Sequence, residues 1–270
     1  MDPVASAVPS FTRRRWFAAL PFAALALAGC QVGATGSDST TPPVADSCRS
    51  LGPRDLAQPS NASPVVSCET RHTAETYAVG TFPASLTGAR QPDDQGLGAW
   101  ISPVCQKKFE EFTGADDSLA LRATITWAWF RASDQAWSKG AHWWRCDTVG
   151  GGQQSTALQA LPVTARGLFR GRPADRWLLC ADGPTVAGSP KVPCSQPHTW
   201  RAVTTIVLGK PGDPYPGDRT VALRTRDYCN SSVGAWLNYP VGYDYGYTWF
   251  HETEWKTGNR RSICWAKTRQ

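Results

Sequence analysis

Two cysteine–histidine pairs have the spacing closest to that of a chemical site. Cys68 precedes His72 by four positions, and Cys194 precedes His198 by the same interval. Two cysteines and two histidines form a donor set for tetrahedral zinc. The alternative is that both cysteines form disulfides and that each histidine hydrogen-bonds the backbone of the turn after its bridge. We favour this alternative, because the pairs lie in separate halves of the chain and cysteines in an oxidising compartment find partners. No metal or other cofactor is predicted.

A catalytic interpretation has less support. His72 lies three residues before Glu75, and both side chains are of types suited to proton transfer. The corresponding position after His198 is Arg201, so this pair is not repeated. The sequence has no Gly-x-Ser-x-Gly elbow, phosphate-binding loop or His-Glu-x-x-His motif, and paired cysteines leave no free thiol as a nucleophile. We therefore expect no enzymatic activity.

Aromatic residues offer a binding chemistry instead. The chain contains 13 Trp and 7 Tyr, and an exposed aromatic face can pack against a sugar ring or a protein partner. Trp143 and Trp144 are the first candidates, because neighbouring strand residues point to opposite faces and one would then be exposed. Tyr243, Tyr245 and Tyr247 alternate along a second segment and are further candidates. The competing explanation is that these rings fill the core of a small sheet domain.

The N-terminus indicates export and lipid anchoring. Three arginines at positions 13–15 are followed by an uncharged run to position 28, and Cys30 comes directly after Leu-Ala-Gly. The run is shorter than the ~20 residues of a spanning helix and is typical of a secretory signal. The Leu-Ala-Gly-Cys sequence resembles a bacterial lipobox, which implies that residues 1–29 are removed and that Cys30 is acylated. We expect a lipoprotein on the outer face of the cytoplasmic membrane, exported by the general or the twin-arginine route.

Composition divides the mature chain into a tether and a folded part. Residues 30–47 are rich in Gly, Ser, Thr and Pro, so they bury little apolar surface and are predicted to form a flexible tether. The residues from 48 onward suit one large domain or two small ones. Removal of the signal leaves 25 basic and 21 acidic residues with no Lys/Arg-rich run. This distribution argues against a nucleic-acid partner.

Eight cysteines are left once Cys30 is assigned to lipid, and an even number suits an oxidising compartment. They form two sets of four with similar spacing: Cys48, Cys68, Cys105 and Cys146, then Cys180, Cys194, Cys229 and Cys264. Spacing alone does not fix connectivity. We predict that, within each set, the first cysteine pairs with the second and the third with the fourth.

The residues around these cysteines also repeat. Trp137-x2-Gly140 stands before the last cysteine of the first set, and Trp255-x2-Gly258 stands at the same distance before the last cysteine of the second set. The Cys-x3-His motif occurs in both sets. Motifs that recur in one order indicate a duplication, and two copies are too few for a solenoid. The sequence therefore predicts a tandem pair of domains.

Each copy, residues 48–163 and 164–270, is predicted to be a small disulfide-stabilised α+β domain with an antiparallel sheet packed against a short helix. Ser102 and Pro103 predict the start of the first helix, as a cap and a first-turn proline, and Gly114 predicts its end. The third cysteine of each set falls on the apolar face of its helix. Alternating aromatic residues after each helix predict a strand.

The set of motifs resembles a known family. The Cys-x2-Pro-His of the second copy, the helical cysteine and the final Trp-x2-Gly-x5-Cys together resemble the septum-formation-related domain family of bacterial envelope proteins. The resemblance covers most of residues 44–270 and implies a membrane-anchored protein associated with the division septum, without implying a defined reaction or ligand. The first copy departs from the pattern at Arg71, where the second has Pro197, and the acidic residue expected after the histidine is present as Glu75 but replaced by Arg201.

These observations predict a non-catalytic, membrane-tethered interaction module of the bacterial cell envelope, associated with septum formation or cell division. A cell-wall glycan-binding lipoprotein that uses exposed Trp and Tyr is the second hypothesis, and an envelope hydrolase is the third. The expected partners are the membrane, through the N-terminal lipid, and an envelope protein or a cell-wall glycan.

Overall fold

The computed structural model describes residues 39–151, 155, 157–256 and 258–268. The predicted signal peptide and Cys30 lie outside the described residues. All described residues belong to one compact unit, so the prediction of two separate tandem domains is not confirmed. Within the described ranges, no helix is both long enough and apolar enough to cross a membrane.

The first half of the described chain is a four-stranded antiparallel sheet with one long helix on its face. The strands are β1 (Ser47–Arg49), β2 (Ala74–Thr81), β3 (Thr126–Arg131) and β4 (Trp143–Val149), in the order β1-β2-β4-β3. The helices are α1 (Asp94–Thr113), α2 (Asp117–Leu121) and α3 (Asp134–Trp137), with 3-10 turns at Asp55–Ala57 and Ala84–Leu86.

The second half forms a five-stranded antiparallel sheet after a 3-10 turn at Asp175–Trp177. Its strands are β5 (Leu179–Ala181), β6 (Lys191–Pro193), β7 (Trp200–Val207), β8 (Tyr245–Thr248) and β9 (Arg261–Lys267), in the order β6-β5-β7-β9-β8. Its helices are α4 (Asp218–Trp236) and α5 (Glu252–Lys256). The prediction of an α+β chain with antiparallel sheets is thus confirmed.

The two sheets share an arrangement around their central strands. β2 pairs with β4, and β7 pairs with β9, in long antiparallel ladders. Each ladder is interrupted by one register shift, between Thr76 and Ala78 in the first sheet and between Ala202 and Thr204 in the second. A long helix precedes the edge strand in both halves. The counterpart of β6 in the first half is a single antiparallel bridge between Val66 and Cys48, where the second sheet pairs Val192 with Cys180.

Helix α1 begins earlier than its sequence signals predict. Ile101 and Leu97 are buried one and two turns before Cys105, so the apolar stripe continues toward the N-terminus and the helix starts at Asp94. The predicted start at Ser102 and Pro103 is wrong, because burial of this stripe offsets the hydrogen bond that an internal proline lacks. The predicted end is confirmed: Gly114 has a φ of 77° and its N–H donates to the Glu110 carbonyl at 2.8 Å.

A charged cluster is buried beneath the first sheet, on strands β1, β2 and β4. Thr76 Oγ1 accepts a hydrogen bond from Arg49 Nη1 at 2.6 Å and donates to Asp147 Oδ1 at 2.7 Å. Arg145 Nε lies 3.1 Å from Asp147 Oδ2. Burial lowers the pKa of Arg49 to about 10, and the charge of Arg145 adds to the effect while Asp147 opposes it. The cluster therefore contains two guanidinium groups and one carboxylate, and Arg49 is linked to Asp147 through the Thr76 hydroxyl.

The two halves are joined through the segment after residue 158. Four apolar side chains of this segment pack against Phe109 and Phe112 of α1 and against Ile125 in a shared core: Leu161, Ala165, Phe169 and Trp177. Backbone hydrogen bonds continue the contact, from Thr124 N–H to the Trp177 carbonyl at 3.0 Å and from Leu179 N–H to the Arg122 carbonyl at 2.8 Å. The chain after residue 163 thus runs along the first half before strand β5 begins.

Candidate functional site

The eight cysteines of the described chain are all in disulfides, and the pairing is the one predicted. The bridges are Cys48–Cys68, Cys105–Cys146, Cys180–Cys194 and Cys229–Cys264. In each half, the second bridge joins the long helix to a central strand, α1 to β4 and α4 to β9. Each of these bridges adjoins the register shift of its ladder, which opposes Ala78 to Cys146 and Thr204 to Cys264.

His72 and His198 occupy equivalent turns and are almost completely buried. Nδ1 of His72 donates to the Thr70 carbonyl at 2.8 Å, and Nδ1 of His198 donates to the Gln196 carbonyl at the same distance. The zinc alternative would require two disulfides to open, because the sulfurs of Cys68 and Cys194 are bonded elsewhere. Across the described residues, no group of three or more His, Cys, Asp or Glu is arranged to hold a metal ion.

The Glu75 carboxylate hydrogen-bonds the segment at residues 164–165 and not His72. Its Oε1 accepts a hydrogen bond from Thr164 Oγ1 at 2.7 Å, and its Oε2 accepts one from the Ala165 N–H at 2.7 Å. Both carboxylate oxygens thus hold the chain that leads to the second half. At the equivalent position, Arg201 forms an ion pair with Asp175 at 2.6 Å.

The two Trp-x2-Gly motifs have one geometry. Trp137 and Trp255 each lie in a short helix, α3 or α5, and each accepts a backbone hydrogen bond from a glycine three residues later. Those glycines, Gly140 and Gly258, have φ angles of 90° and 100°, which favour a residue without a Cβ. The indole Nε1 of Trp137 donates to the Ala89 carbonyl, and that of Trp255 donates to the Asp213 carbonyl.

These indole bonds explain the spacing of the motifs. Ala89 and Asp213 each lie five residues before the first residue of the long helix, α1 or α4. Each tryptophan therefore fastens the loop that leads into the helix. The Trp-x2-Gly motifs therefore have a structural role, which is to hold the loops before α1 and α4 in place.

The expectation that Trp143 or Trp144 is exposed is wrong. Their side chains are 2% and 5% exposed, because β4 lies between β2 and β3 and both of its faces are covered. Trp143 packs against three alanines and donates to the Ser39 carbonyl at 2.9 Å. Trp144 packs on the side of α1, so close to Gly80 that a Cβ at that glycine would lie 2.4 Å from the indole. Both rings are core residues.

Tyr245 and Tyr247 are half-buried on β8, the edge strand of the second sheet, and Tyr243 is half-buried just before it. They pack against the cluster around the Cys229–Cys264 bridge. Tyr243 Oη also donates to the Asn230 carbonyl at 2.7 Å. These tyrosines contribute to packing between the helix and the sheet.

A cleft of about 450 Å³ lies where the two halves meet. One wall is formed by α1, α2 and the start of β3, and the other by the end of β7, the start of β9 and the turn between α5 and β9. Its lining consists of Ser102, Gln106, Phe109, Asp117, Ala120, Leu121, Thr126, Trp127, Val207, Glu254, Gly258, Asn259, Arg260 and Arg261.

The charges of the cleft are coupled across the two walls. Arg261 Nη2 donates to Asp117 Oδ2 at 2.8 Å, and this hydrogen bond lowers the pKa of Asp117. Glu110 lies beside Asp117; burial raises the pKa of Glu110, and the negative charge of Asp117 raises it further. Gln106 Nε2 donates to Glu110 Oε1 at 3.1 Å, which opposes that rise. The two carboxyl groups therefore have pKa values displaced in opposite directions.

Comparison with protein-family models identifies the chain. The model described as "Septum formation" matches residues 45–264, most of the sequence. The chain belongs to the septum-formation family. Comparison with curated proteins and with solved structures gave no match.

None of the sequence motifs of this septum-formation protein indicated the cleft. Gln106, Trp127 and Asn259 come from three separate segments and carry no motif in the sequence. The available signal was their position beside motif residues, since Gln106 follows Cys105 and Asn259 follows Gly258. A place beside a motif residue shows that a side chain is held in a fixed position. It does not show which part of the other half faces that side chain.

Proposed function

We propose that this septum-formation protein is a non-catalytic, membrane-tethered interaction module of the bacterial cell envelope that works at the division septum. The observation that carries the proposal is the family match over residues 45–264, which indicates a role related to septum formation. Four disulfides in the described chain support an oxidising compartment. The lipobox resemblance at Cys30 supports attachment to the membrane by lipid.

A non-catalytic role is supported by the roles of the most reactive residue types. Each cysteine of the described chain is bonded to another. His72 and His198 are buried and bonded to the backbone of their own turns. Glu75 has both carboxylate oxygens engaged by Thr164 and Ala165. These side chains stabilise turns and contacts between segments, which supports a structural role for each of them.

We also propose that the two halves are copies of one domain. The proposal is supported by the shared order of long helix, edge strand, short helix and central strand. It is supported further by the equivalent helix-to-strand disulfides and by the equivalent turns after Trp137 and Trp255. A duplicated scaffold enlarges the surface available to partners while each half keeps its own bridges.

Proximity labelling in growing cells tests the proposed function. A labelling enzyme is fused to the C-terminus of the full chain, and the control carries the same first 47 residues on an unrelated folded domain. We expect division or wall-synthesis proteins to be enriched over this control, and fluorescence of a matched fusion to concentrate at septa. Equal labelling by the two fusions would contradict the septal role.

Membrane attachment is tested separately with Cys30→Ser. This change removes the sulfur that the lipid requires, so the protein should leave the membrane fraction while its disulfides remain intact. Wild-type protein processed in the same cells is the control. Retention of the variant in the membrane would contradict the lipid anchor without bearing on the septal partners.

A further inference from the structure

The cleft between the two halves has the size of a small-ligand site. Its volume of about 450 Å³ lies within the ~300–1,000 Å³ typical of small-molecule pockets. Both halves supply its walls, through α1 and β3 on one side and the turn before β9 on the other. A ligand there would contact both sheets at once.

The first half supplies an aromatic surface. Trp127 lines the cleft from β3 and is half-buried, and Phe109 lies beside it on α1. An indole at the wall of a pocket provides a flat apolar face on which a ring with axial C–H groups can pack. The ligand therefore needs an apolar face of ring size.

Side-chain amides stand on both walls. Gln106 uses Nε2 to donate to Glu110, which leaves its carbonyl oxygen to accept from a ligand. Asn259 uses Oδ1 to accept the Arg261 N–H, which leaves its Nδ2 amide to donate. Within the described residues, the buried Nε of Arg260, another lining residue, also has no hydrogen-bond partner. The cleft thus offers donors and an acceptor around the aromatic face.

The charges of the cleft favour an uncharged ligand. Asp117 and Arg261 neutralise each other across the cleft at 2.8 Å. The guanidinium of Arg260 lies 3.6 Å from the ring centre of Trp255 and donates to the Trp255 and Asn259 carbonyls. A phosphate or carboxylate ligand would have to displace these contacts. Among the lining residues, the carboxylates of Asp117 and Glu254 balance the guanidinium groups of Arg260 and Arg261, so the lining carries no net charge. Polar groups around a flat apolar face, in a cleft without net charge, match the chemistry of a sugar.

We propose that this cleft binds a short neutral oligosaccharide of two or three rings. One ring packs on Trp127, and hydroxyl or acetamido groups hydrogen-bond with Gln106 and Asn259. The site differs from the aromatic residues that the sequence suggested, since Trp143 and Trp144 are in the core. The proposal does not depend on where the protein is located in the cell.

Ligand-observed NMR titration of the full chain in detergent, with its disulfides intact, tests the site. The probes are chitotriose, whose rings carry acetamido groups, and maltotriose, whose rings do not. We expect saturable binding of at least one probe. Trp127→Ala should weaken it about tenfold, equivalent to ~1.4 kcal/mol. Preference for chitotriose would assign the amides to acetamido recognition, and equal binding would assign them to hydroxyl groups.

Matched variants keep the test decisive. Asn259→Ala and Gln106→Ala trim polar side chains at the cleft and should each weaken binding several-fold while the thermal unfolding midpoint stays close to wild type. Trp236→Ala is the control, because this tryptophan is 48% exposed at the end of α4 and does not line the cleft. Absence of binding by both trioses, or equal weakening by Trp236→Ala and by the cleft variants, would overturn the proposal.

Discussion

Replacing Asp147 by Asn tests the buried charge cluster beneath the first sheet. Asn has nearly the same shape and keeps an acceptor for Thr76 Oγ1, so the substitution opens no cavity. It removes the negative charge that lies 3.1 Å from Arg145 and that opposes the lowering of the Arg49 pKa. Each of the three charged side chains is at most 1% exposed. Removing one partner from a buried ion pair costs ~3–5 kcal/mol, and we expect a loss of free energy of unfolding in that range.

Equilibrium unfolding in urea at neutral pH, with the disulfides intact, measures this loss. With a urea slope of ~2 kcal/mol per molar, the midpoint should fall by ~2 M. Asp175→Asn is the control: Asp175 pairs with Arg201 at 2.6 Å but is 49% exposed, and a solvent-exposed pair contributes at most ~1 kcal/mol. If Asp147→Asn lowered the midpoint no more than Asp175→Asn does, the argument from the buried charge would be refuted.

Three further variants test the same charge cluster, one Trp-x2-Gly motif and one disulfide. Arg49→Met removes the second buried cation of the cluster, so the free energy of unfolding should stay the same or rise by up to ~3 kcal/mol. A lower urea midpoint would show that the hydrogen bond from Arg49 to Thr76 contributes more than the burial of its charge costs. Trp255→Phe deletes the indole bond to the Asp213 carbonyl and should lower stability by ~1 kcal/mol in thermal unfolding. Replacing Cys105 and Cys146 together by Ala opens a loop of 41 residues and should cost ~4 kcal/mol, whereas an unchanged midpoint would show that this bridge adds nothing.

Local signals in the sequence predicted the scaffold well. Cys105 lies on the buried stripe of its helix, as its spacing indicated. Gly114 ends that helix because a left-handed residue is needed there. Each of these features depends on a few neighbouring residues, which is why the sequence alone suffices.

Features that depend on which surface is covered were not predictable in the same way. The start of α1 lies eight residues before Ser102 because Leu97 and Ile101 find a buried surface on the sheet. Trp143 and Trp144 alternate as strand residues do, but a central strand covered on both faces buries both. The strand pattern predicts the face of the sheet to which each side chain points. It does not predict which element covers that face.

The cleft combines residues that local motifs hold in place with a contact between the two halves that no local motif predicts. Gln106 is held in place by the neighbouring Cys105 bridge, and Asn259 is held by the turn at Gly258. On the proposed duplication, their counterparts are Asn230, whose carbonyl accepts the Tyr243 hydroxyl, and the buried Ala141. The helix wall of the first half and the turn of the second half therefore meet as unlike surfaces. A site built this way needs residues from both halves.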